Sequence, residues 1–265
     1  MSTDDTGFAG SIPAIYDRHL GPFLFRPFAE EVAQRAGRWK PRSILETAAG
    51  TGLATEALAE ACPDAEIVAT DLNQAMLDVA RTRLPPRVEL QPADAQALPF
   101  PDARFDLVVC QFGIMFMPDK VAANREARPV PGDGGHYVLA VWNRLEENPA
   151  SRIVHEAVAS LSPENPPAFL ARTPFGYSDP ARIEHDLLAA GFTDVEFETV
   201  KLRALPEAEA NDAAVGLVCG SPLRTEIEAF GPDALDWATE AAREAFRAAG
   251  EFDPRLSAHI VTAIR

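Results

Sequence analysis

The segment Ser43–Gly52 constrains the fold of this chain more than any other, because it joins a strand pattern to a glycine turn. Its first half follows a Pro41–Arg42 break and is apolar at positions 44 and 45, which is typical of a short buried strand. Its second half leads into apolar residues spaced as on a helix that packs against a sheet, namely Leu53, Ala54, Ala57, Leu58 and Ala61. Glycines let a ligand approach the backbone, and a helix N-terminus offers free N–H groups. The segment therefore predicts a nucleotide-like ligand at the carboxyl end of a strand.

The residues around this turn separate two kinds of ligand. A dinucleotide fingerprint, Gly-x-Gly-x-x-Gly, needs a third glycine for close packing of helix and strand, but Thr55 stands at that position. An acid, Glu46, precedes Gly50, and a carboxylate there would repel a pyrophosphate. The same carboxylate would attract a ligand that carries sulfonium and ammonium groups. The turn thus favours such a ligand over NAD or NADP.

A second acid follows the next predicted strand, Glu66–Thr70. Asp71 lies 25 positions after Glu46, which is about the spacing at which an acid reaches a ribose hydroxyl pair in such folds. A carboxylate can accept the hydrogens of both hydroxyls. Leu72 and Met76 come next and could cover the faces of an adenine ring, although a plain core position is the alternative for Met76.

Two motifs carry a resemblance to the class I S-adenosylmethionine-dependent methyltransferases. Glu46–Gly52 resembles their first motif, Asp/Glu-x-x-x-Gly-x-Gly, which implies that Ala48, Gly50 and Gly52 border the cofactor. Asp94 and Ala95 precede a Leu-Pro-Phe run that is similar to one in the type 11 group, which includes ubiquinone and menaquinone biosynthesis enzymes. The resemblance implies that the Asp94 carboxylate and the Ala95 N–H bind adenine. It implies S-adenosyl-L-methionine as cofactor and S-adenosyl-L-homocysteine as product.

The clearest strand of the chain is 105–110, which is apolar almost throughout, as a buried parallel strand should be. The resemblance implies that this strand ends at the methyl-transfer centre. Gln111 and Phe112 would then lie near the methionine part of the cofactor. Met115 and Phe116 would lie near the substrate or in the core.

Strand and helix patterns alternate over residues 43–142, which predicts a Rossmann-like, doubly wound α/β fold. Two later strand patterns, at 195–205 with a bulge near Thr199 and at 258–264, extend the parallel sheet to seven strands. The resemblance implies that the last strand runs antiparallel. The turn at 129–135, before a strand at 136–142, departs from the family by an extra glycine and an added acid.

We expect one methyltransferase domain, residues 1–265, with its cofactor core at about 40–142. Three mostly helical cap segments would cover the carboxyl edge of the sheet, at about 11–37, 143–180 and 207–250. The first is expected to break near Gly21-Pro22 and to act as a flap, with Tyr16 and Phe25 reaching the ligand. The alternative is a helix pair that only packs on the sheet.

The sequence indicates the binding site of the methyl acceptor less clearly than that of the cofactor. Aromatic residues in the caps suggest a hydrophobic or aromatic pocket, or else plain packing of the caps: Phe23, Phe25, Phe28, Phe169, Phe175 and Tyr177. A general base is needed only if the acceptor must lose a proton. His19 and His155 lie in cap segments and are the candidates, although an ordinary structural role is the alternative for each. No motif identifies a catalytic residue.

The net charge of −16 excludes a nucleic-acid partner unless a local basic patch exists, and it disfavours anionic membrane surfaces. Residues 1–10 are expected to be disordered and carry no signal-peptide pattern, and no apolar run has the length of a membrane span. The three cysteines lack metal-ligand spacing, so we expect reduced thiols, no metal and a cytoplasmic protein. The oligomeric state stays open, with a homodimer as one alternative.

Three functions follow from the sequence. The first is methyl transfer from S-adenosylmethionine to a small molecule that is apolar or aromatic. The second is an S-adenosylmethionine-binding protein without catalysis. The third is an NAD(P)-dependent oxidoreductase, against which the missing third glycine argues.

Overall fold

A computed structural model of the protein describes residues 7, 8, 10–128 and 131–264, with residues 131–134 described as backbone only. Its sheet has seven strands in the order β3-β2-β1-β4-β5-β7-β6. The strands are β1 Ser43–Thr47, β2 Glu66–Asp71, β3 Glu89–Pro92, β4 Phe105–Gln111, β5 Pro131–Trp142, β6 Asp194–Arg203 and β7 Arg255–Ile264. Strand β7 alone runs opposite to the other six strands, and it pairs with β5 on one side and β6 on the other. The predicted doubly wound, seven-stranded sheet with an antiparallel last strand is confirmed.

The two central strands carry the core of the sheet. Ile44 on β1 stands beside Leu107 on β4, and both side chains are fully buried. Apolar residues cover both faces of these strands, and each Å² of apolar surface that they bury stabilises the fold by about 25 cal/mol. The chain runs from β1 to β2 in one direction and from β4 to β5 in the other. Since parallel crossovers are right-handed, this reversal places a crevice at the carboxyl ends of β1 and β4.

The helices pack around this sheet. Those that precede or follow the first four strands are α1 Ile12–Ile15, a wider π-type stretch Tyr16–Phe25, α2 Arg26–Trp39, α3 Leu53–Ala61, α4 Gln74–Arg83 and α5 Lys120–Ala127. Those of the second half are α6 Pro149–Ser160, α7 Phe169–Arg172, α8 Pro180–Ala189, α9 Ala210–Cys219, α10 Leu223–Glu228 and α11 Ala234–Ala249. The π-type stretch contacts α9, and α6 contacts both α9 and α11. The three predicted cap segments therefore pack against one another, while their separation from a cofactor core stays a prediction.

Several local predictions were wrong. No break occurs at Gly21-Pro22, because the wider turns of Tyr16–Phe25 carry the helix past the proline. No bulge occurs near Thr199, since β6 pairs with β7 in unbroken register from Asp194 to Arg203. Strand β5 begins at Pro131, inside the predicted turn.

Parts of two predictions fall outside the described residues. Residues 129 and 130 of the predicted turn are among them, as are 1–6 and 9 of the segment expected to be disordered. Within residues 7, 8, 10–128 and 131–264, none of the helices has the length and apolar character that crossing a membrane requires.

Candidate active site

A cavity opens to solvent where β1, β2 and β4 end. Ten of the eleven residues predicted to bind a cofactor line it, namely Tyr16, Glu46, Ala48, Gly50, Asp71, Leu72, Met76, Asp94, Ala95 and Gln111. They come from separate parts of the chain, and the carboxyl ends of neighbouring parallel strands bring them to one edge of the sheet. We call this space the first cavity.

The two glycines of the turn have different tasks. Gly50 has φ +58° and lines the first cavity, where an added Cβ would come within 3.5 Å of Met76 Cε. Gly52, the eleventh predicted residue, does not line it. Its φ is +80°, and an added Cβ would lie 3.0 Å from the Ala80 Cβ on α4. Gly52 thus serves the left-handed backbone and close packing of the turn against α4.

Asp71 holds the turn in place. Its Oδ2 accepts the Gly50 N–H at 2.9 Å, and its Oδ1 accepts the Asn73 N–H at 2.8 Å. Burial raises the pKa of the Asp71 carboxyl, while these backbone hydrogen bonds oppose the rise. Each carboxylate oxygen has two lone pairs, so the side chain can accept further hydrogen bonds from a ligand in the cavity.

Glu46 is the most strongly perturbed acid of the site. It is 1% exposed, and its Oε2 has no hydrogen-bond partner among the described residues. Burial is the main cause that raises the pKa of Glu46 to about 8; the Thr55 hydroxyl lowers this pKa, and the charge of Asp71 raises it. The Thr55 Oγ1 is itself without a partner, so the two groups lie close without forming a hydrogen bond of good geometry. A buried carboxyl in this state favours a cationic ligand.

Gln111 adds a second orphan acceptor. Its Nε2 donates to the Phe25 carbonyl at 3.4 Å, and its buried Oε1 has no partner among the residues described. An unpaired buried acceptor costs free energy, about 1–3 kcal/mol in protein mutational data. Two such acceptors on one wall are the arrangement expected where a ligand with several N–H groups binds.

The rim of the cavity is formed by Leu72, Asp94 and Ala95. Leu72 is 58% exposed, an unusual degree for a leucine beside a cavity, and a flat ring placed there would cover it. Asp94 is exposed, and its Oδ1 accepts the Gln96 N–H at 2.8 Å, as in a local Asx turn. The structure thus brings the predicted adenine-binding residues to the wall of one cavity.

A second, smaller cavity adjoins the first and shares five of its lining residues. Among the aromatic residues predicted for an acceptor pocket, Phe25, Phe169 and Phe175 line it. The other three belong to the core: Phe23 packs near Phe252, Phe28 packs edge-on to Phe112 and Trp142, and the Tyr177 hydroxyl donates to Asp186. Phe116 lines both cavities, whereas Met115 is buried in the core.

Neither histidine candidate lines either cavity. His19 Nδ1 lies 2.8 Å from Asp212 Oδ1, an acid that also caps the start of α9. Burial lowers the pKa of the His155 imidazole, which lies on α6. The geometry gives neither histidine a place beside the ligand space. Within the described part of the chain, no group of three or more His, Cys, Asp or Glu residues is arranged to hold a metal ion.

Sequence reasoning missed Phe8 altogether and gave no structural role to Trp142. Phe8 lines both cavities and meets the rings of Tyr16 and Phe116 edge-on. Phe112 has φ +54°, which turns its ring onto Trp142 with the centroids 3.8 Å apart. A positive φ at a phenylalanine leaves no signal in the sequence, and a single aromatic residue ahead of the first helix has no periodic pattern to mark it.

The family model described as "Methyltransferase domain" matches residues 44–135. The ubiquinone/menaquinone biosynthesis C-methyltransferase UbiE of Burkholderia mallei is 40% identical over 108 residues, covering 39% of this chain and 44% of that protein. The Burkholderia thailandensis protein of the same name matches to the same extent. The alignment thus spans less than half the length of these curated relatives.

Three of the solved structures that share this fold cover between 89% and 100% of the chain. Phosphoethanolamine N-methyltransferase 2 of Haemonchus contortus, in complex with S-adenosyl-L-methionine, has a TM-score of 0.61 at 17% identity, covering 99% of this chain and 58% of that one. A Haloferax volcanii methyltransferase, solved with the Trm112 activator, has a TM-score of 0.57 at 17% identity, covering 100% and 98%. The [4+2]-cyclase SpnF has a TM-score of 0.54 at 19% identity, covering 89% and 82%.

At these identities the solved structures show the fold alone, and that fold serves methyltransferases and a cyclase. The matched segment 44–135 contains the glycine turn and the acids at the ends of β1 and β2. Residues 44–135 are therefore a methyltransferase domain, similar in sequence to the curated C-methyltransferases, and the chain as a whole shares its seven-stranded fold with the solved structures.

Proposed function

We propose that the protein transfers a methyl group from S-adenosylmethionine to a small-molecule acceptor that is apolar or aromatic. The observation that carries this proposal is the contact between two unlike spaces. The first cavity has acids and orphan acceptors on its walls, and the adjoining second cavity is almost wholly apolar. Such a pair suits a polar cofactor beside an apolar substrate.

The residues of the first cavity fit the cofactor. Glu46 and Gln111 would accept hydrogen bonds from its ammonium group, and Asp71 would accept those of the ribose hydroxyls. Leu72 and Asp94, at the rim, would take the adenine ring and its amino group. When bound, S-adenosylmethionine supplies an electrophilic methyl group. The chain's own task is to align the acceptor and to exclude water, which the buried aromatic walls support.

Two alternative functions differ from this proposal. One binds a different ligand, and the other binds the same cofactor without catalysis. An NAD(P)-dependent oxidoreductase would have to hold a pyrophosphate beside Glu46 and Asp71, where two acids oppose it. A binding protein without catalysis would take the same cofactor and release no product. The wall of the second cavity holds no histidine among its described residues, so a base-dependent methyl transfer is the less supported variant.

The first experiment measures the melting temperature with S-adenosylmethionine, S-adenosylhomocysteine, NAD and NADP added separately. A ligand at a hundredfold excess over its Kd adds about 2.7 kcal/mol to the apparent stability. We expect a shift with the two sulfur compounds alone, and a shift with NAD or NADP alone would overturn the proposal. A panel of acceptors then tests turnover through release of S-adenosylhomocysteine. Tight cofactor binding with no release across a wide panel would favour the non-catalytic alternative.

We further propose a cytoplasmic protein without a nucleic-acid or membrane partner, since a chain with a net charge of −16 is repelled by phosphate-rich surfaces. A homodimer and a monomer are both compatible with this proposal. Light scattering coupled to size-exclusion chromatography distinguishes them.

A further inference from the structure

The wall of the second cavity has an unusual composition. It consists of eight aromatic residues, four leucines, two prolines and one serine. No Asp, Glu, Lys, Arg or His is among the described residues that form it. Moving an ionised group from water into such surroundings is strongly unfavourable unless a partner compensates it. The cavity therefore selects against charge.

The few polar groups of this wall are already engaged or neutral. The Ser221 hydroxyl donates to the Leu217 carbonyl at 2.6 Å and accepts the Leu223 N–H at 3.3 Å. Burial, followed by the nearby charges of Asp71 and Asp17, raises the pKa of the Tyr16 hydroxyl, so Tyr16 stays neutral. Tyr16 can therefore offer one neutral hydrogen bond to a ligand and no charge.

Five residues line both cavities, and all five are aromatic: Phe8, Tyr16, Phe25, Phe112 and Phe116. We call this set the aromatic collar. The Tyr16 and Phe25 rings are stacked with their centroids 4.7 Å apart, and Phe8 meets Tyr16 edge-on at 5.8 Å. Rings in these arrangements provide both faces and edges to a further ring placed among them. A flat ring is thus the shape that the collar can hold between the two spaces.

We propose that the second cavity binds the methyl acceptor and that the acceptor enters it as an uncharged, flat aromatic compound. This inference rests on the proposed function, because only methyl transfer makes the occupant an acceptor. The apolar wall and the stacked and edge-on rings of the aromatic collar suit a flat ring system. Carboxylates, phosphates and ammonium groups in the inserted part of the molecule are excluded.

The experiment compares two fluorescent probes that share one skeleton and differ in charge. N-phenyl-1-naphthylamine is neutral, and 8-anilinonaphthalene-1-sulfonate adds a sulfonate to the same rings. Each is titrated into the wild-type protein saturated with S-adenosylhomocysteine. We expect the neutral probe to bind with a stoichiometry of one and a Kd at least tenfold lower than that of the sulfonate. Phenyltrimethylammonium, a cationic competitor, should not displace it.

A matched pair of variants locates the probe. Phe175 lines only the second cavity, whereas Phe230 is 42% exposed and lines neither. Phe175→Ala should raise the Kd of the neutral probe at least fivefold, and Phe230→Ala should leave it unchanged. Calorimetry with S-adenosylhomocysteine checks that both variants keep an intact first cavity.

Three outcomes would overturn the inference: equal or tighter binding of the sulfonate, displacement by phenyltrimethylammonium, or no saturable binding of the neutral probe. If the neutral probe shows no saturable binding, the second cavity is not an acceptor site, even where the cause is collapse of the aromatic rings into it. The wild-type comparison needs no substitution, so it decides even if Phe175→Ala fails to fold. Failure of S-adenosylhomocysteine to bind would instead overturn the proposed function, whatever the probes do.

Discussion

The raised pKa of Glu46 predicts that ligand affinity depends on pH. In the free protein the Glu46 carboxyl, with a pKa of about 8, is mostly protonated at neutral pH because burial disfavours its charge. An ammonium group in the first cavity needs the ionised carboxylate as its partner. Binding should therefore expel one proton from Glu46 at any pH well below 8. The test measures ligand affinity at pH 8 and at pH 6, for wild type and for Glu46→Gln.

The magnitude follows from the linkage of protons and ligand. Each pH unit below the pKa of the free protein weakens binding by up to tenfold, or about 1.4 kcal/mol. Between pH 8 and pH 6 the Kd for S-adenosylhomocysteine should thus rise by tens of times, towards a limit of about a hundredfold. The ligand's own ammonium group stays charged over this window. Glu46→Gln has no proton to expel, so its Kd should be higher at pH 8 and nearly independent of pH.

Isothermal titration calorimetry in buffers of different ionisation enthalpy measures both quantities, the Kd and the number of protons released. Release of nearly one proton by wild type at pH 6.5, and of none by Glu46→Gln, is the expected result. A wild-type affinity that is flat between pH 6 and pH 8, without proton release, would refute the reasoning. It would mean either that Glu46 is ionised in the free protein or that the ammonium group binds elsewhere.

The same pKa affects the stability of the free protein, with a definite sign. The folded-state pKa of Glu46, about 8, lies above its ordinary value of 4.5, so the folded chain binds more protons than the unfolded chain between these limits. The stability contribution is complete below pH 4.5 and is lost as the pH rises towards 8, by up to about 1.4 kcal/mol per unit. Glu46→Gln should therefore gain stability relative to wild type as the pH rises. Denaturant unfolding at pH 5 and pH 8 checks this, and a constant difference would contradict it.

Three further predictions address neighbouring groups. Asp71→Ala should weaken binding of S-adenosylhomocysteine by roughly 1.5–3 kcal/mol through lost hydrogen bonds to the ribose, and an unchanged Kd in the folded variant would refute the ribose assignment. Arg83→Met should lower the free energy of unfolding by roughly 3 kcal/mol, because it leaves the Asp17 carboxylate, now 2.6 Å from Arg83 Nη2, mostly buried without its partner. Adding Asp17→Asn should restore part of that loss in denaturant unfolding. Gly50→Val should abolish binding of S-adenosylhomocysteine, because its side chain would fill the cavity. Gly52→Ala should lower the free energy of unfolding by roughly 1–2 kcal/mol and keep the Kd for S-adenosylhomocysteine within twofold. The opposite result for the two variants would mean that Gly52, and not Gly50, borders the ligand.

The residues that line the first cavity are predictable from the sequence because their signals are local. Glu46 and Asp71 each end a short apolar strand, and the parallel arrangement of those strands brings both acids to the same edge. Gly52 shows where this reasoning stops. The pattern Gly-x-Gly does not say which glycine meets the ligand, since that depends on α4, whose Ala80 approaches the turn from another part of the chain.

The second cavity is not predictable in the same way. Phe25 and Phe28 lie three residues apart, yet Phe25 lines the cavity and Phe28 is buried against Phe112 and Trp142. The direction of each ring depends on the wider turns that carry the helix past Pro22, and the sequence alone suggested a break there instead. Aromatic content can indicate a pocket, but tertiary packing decides which rings face it.

The division between the two cavities limits what similarity can say about the acceptor. Residues 44–135 match the methyltransferase family, and this segment supplies most of the wall of the first cavity. Of the residues that line the second cavity, only Phe112 and Phe116 lie within it, and the rest come from the segments on either side. The acceptors named for similar proteins therefore do not transfer to this chain with the matched domain. Phe169, Leu170 and Phe175 belong to a flanking segment and line only the second cavity, so we expect substitutions there to change the choice of acceptor while leaving cofactor affinity unchanged.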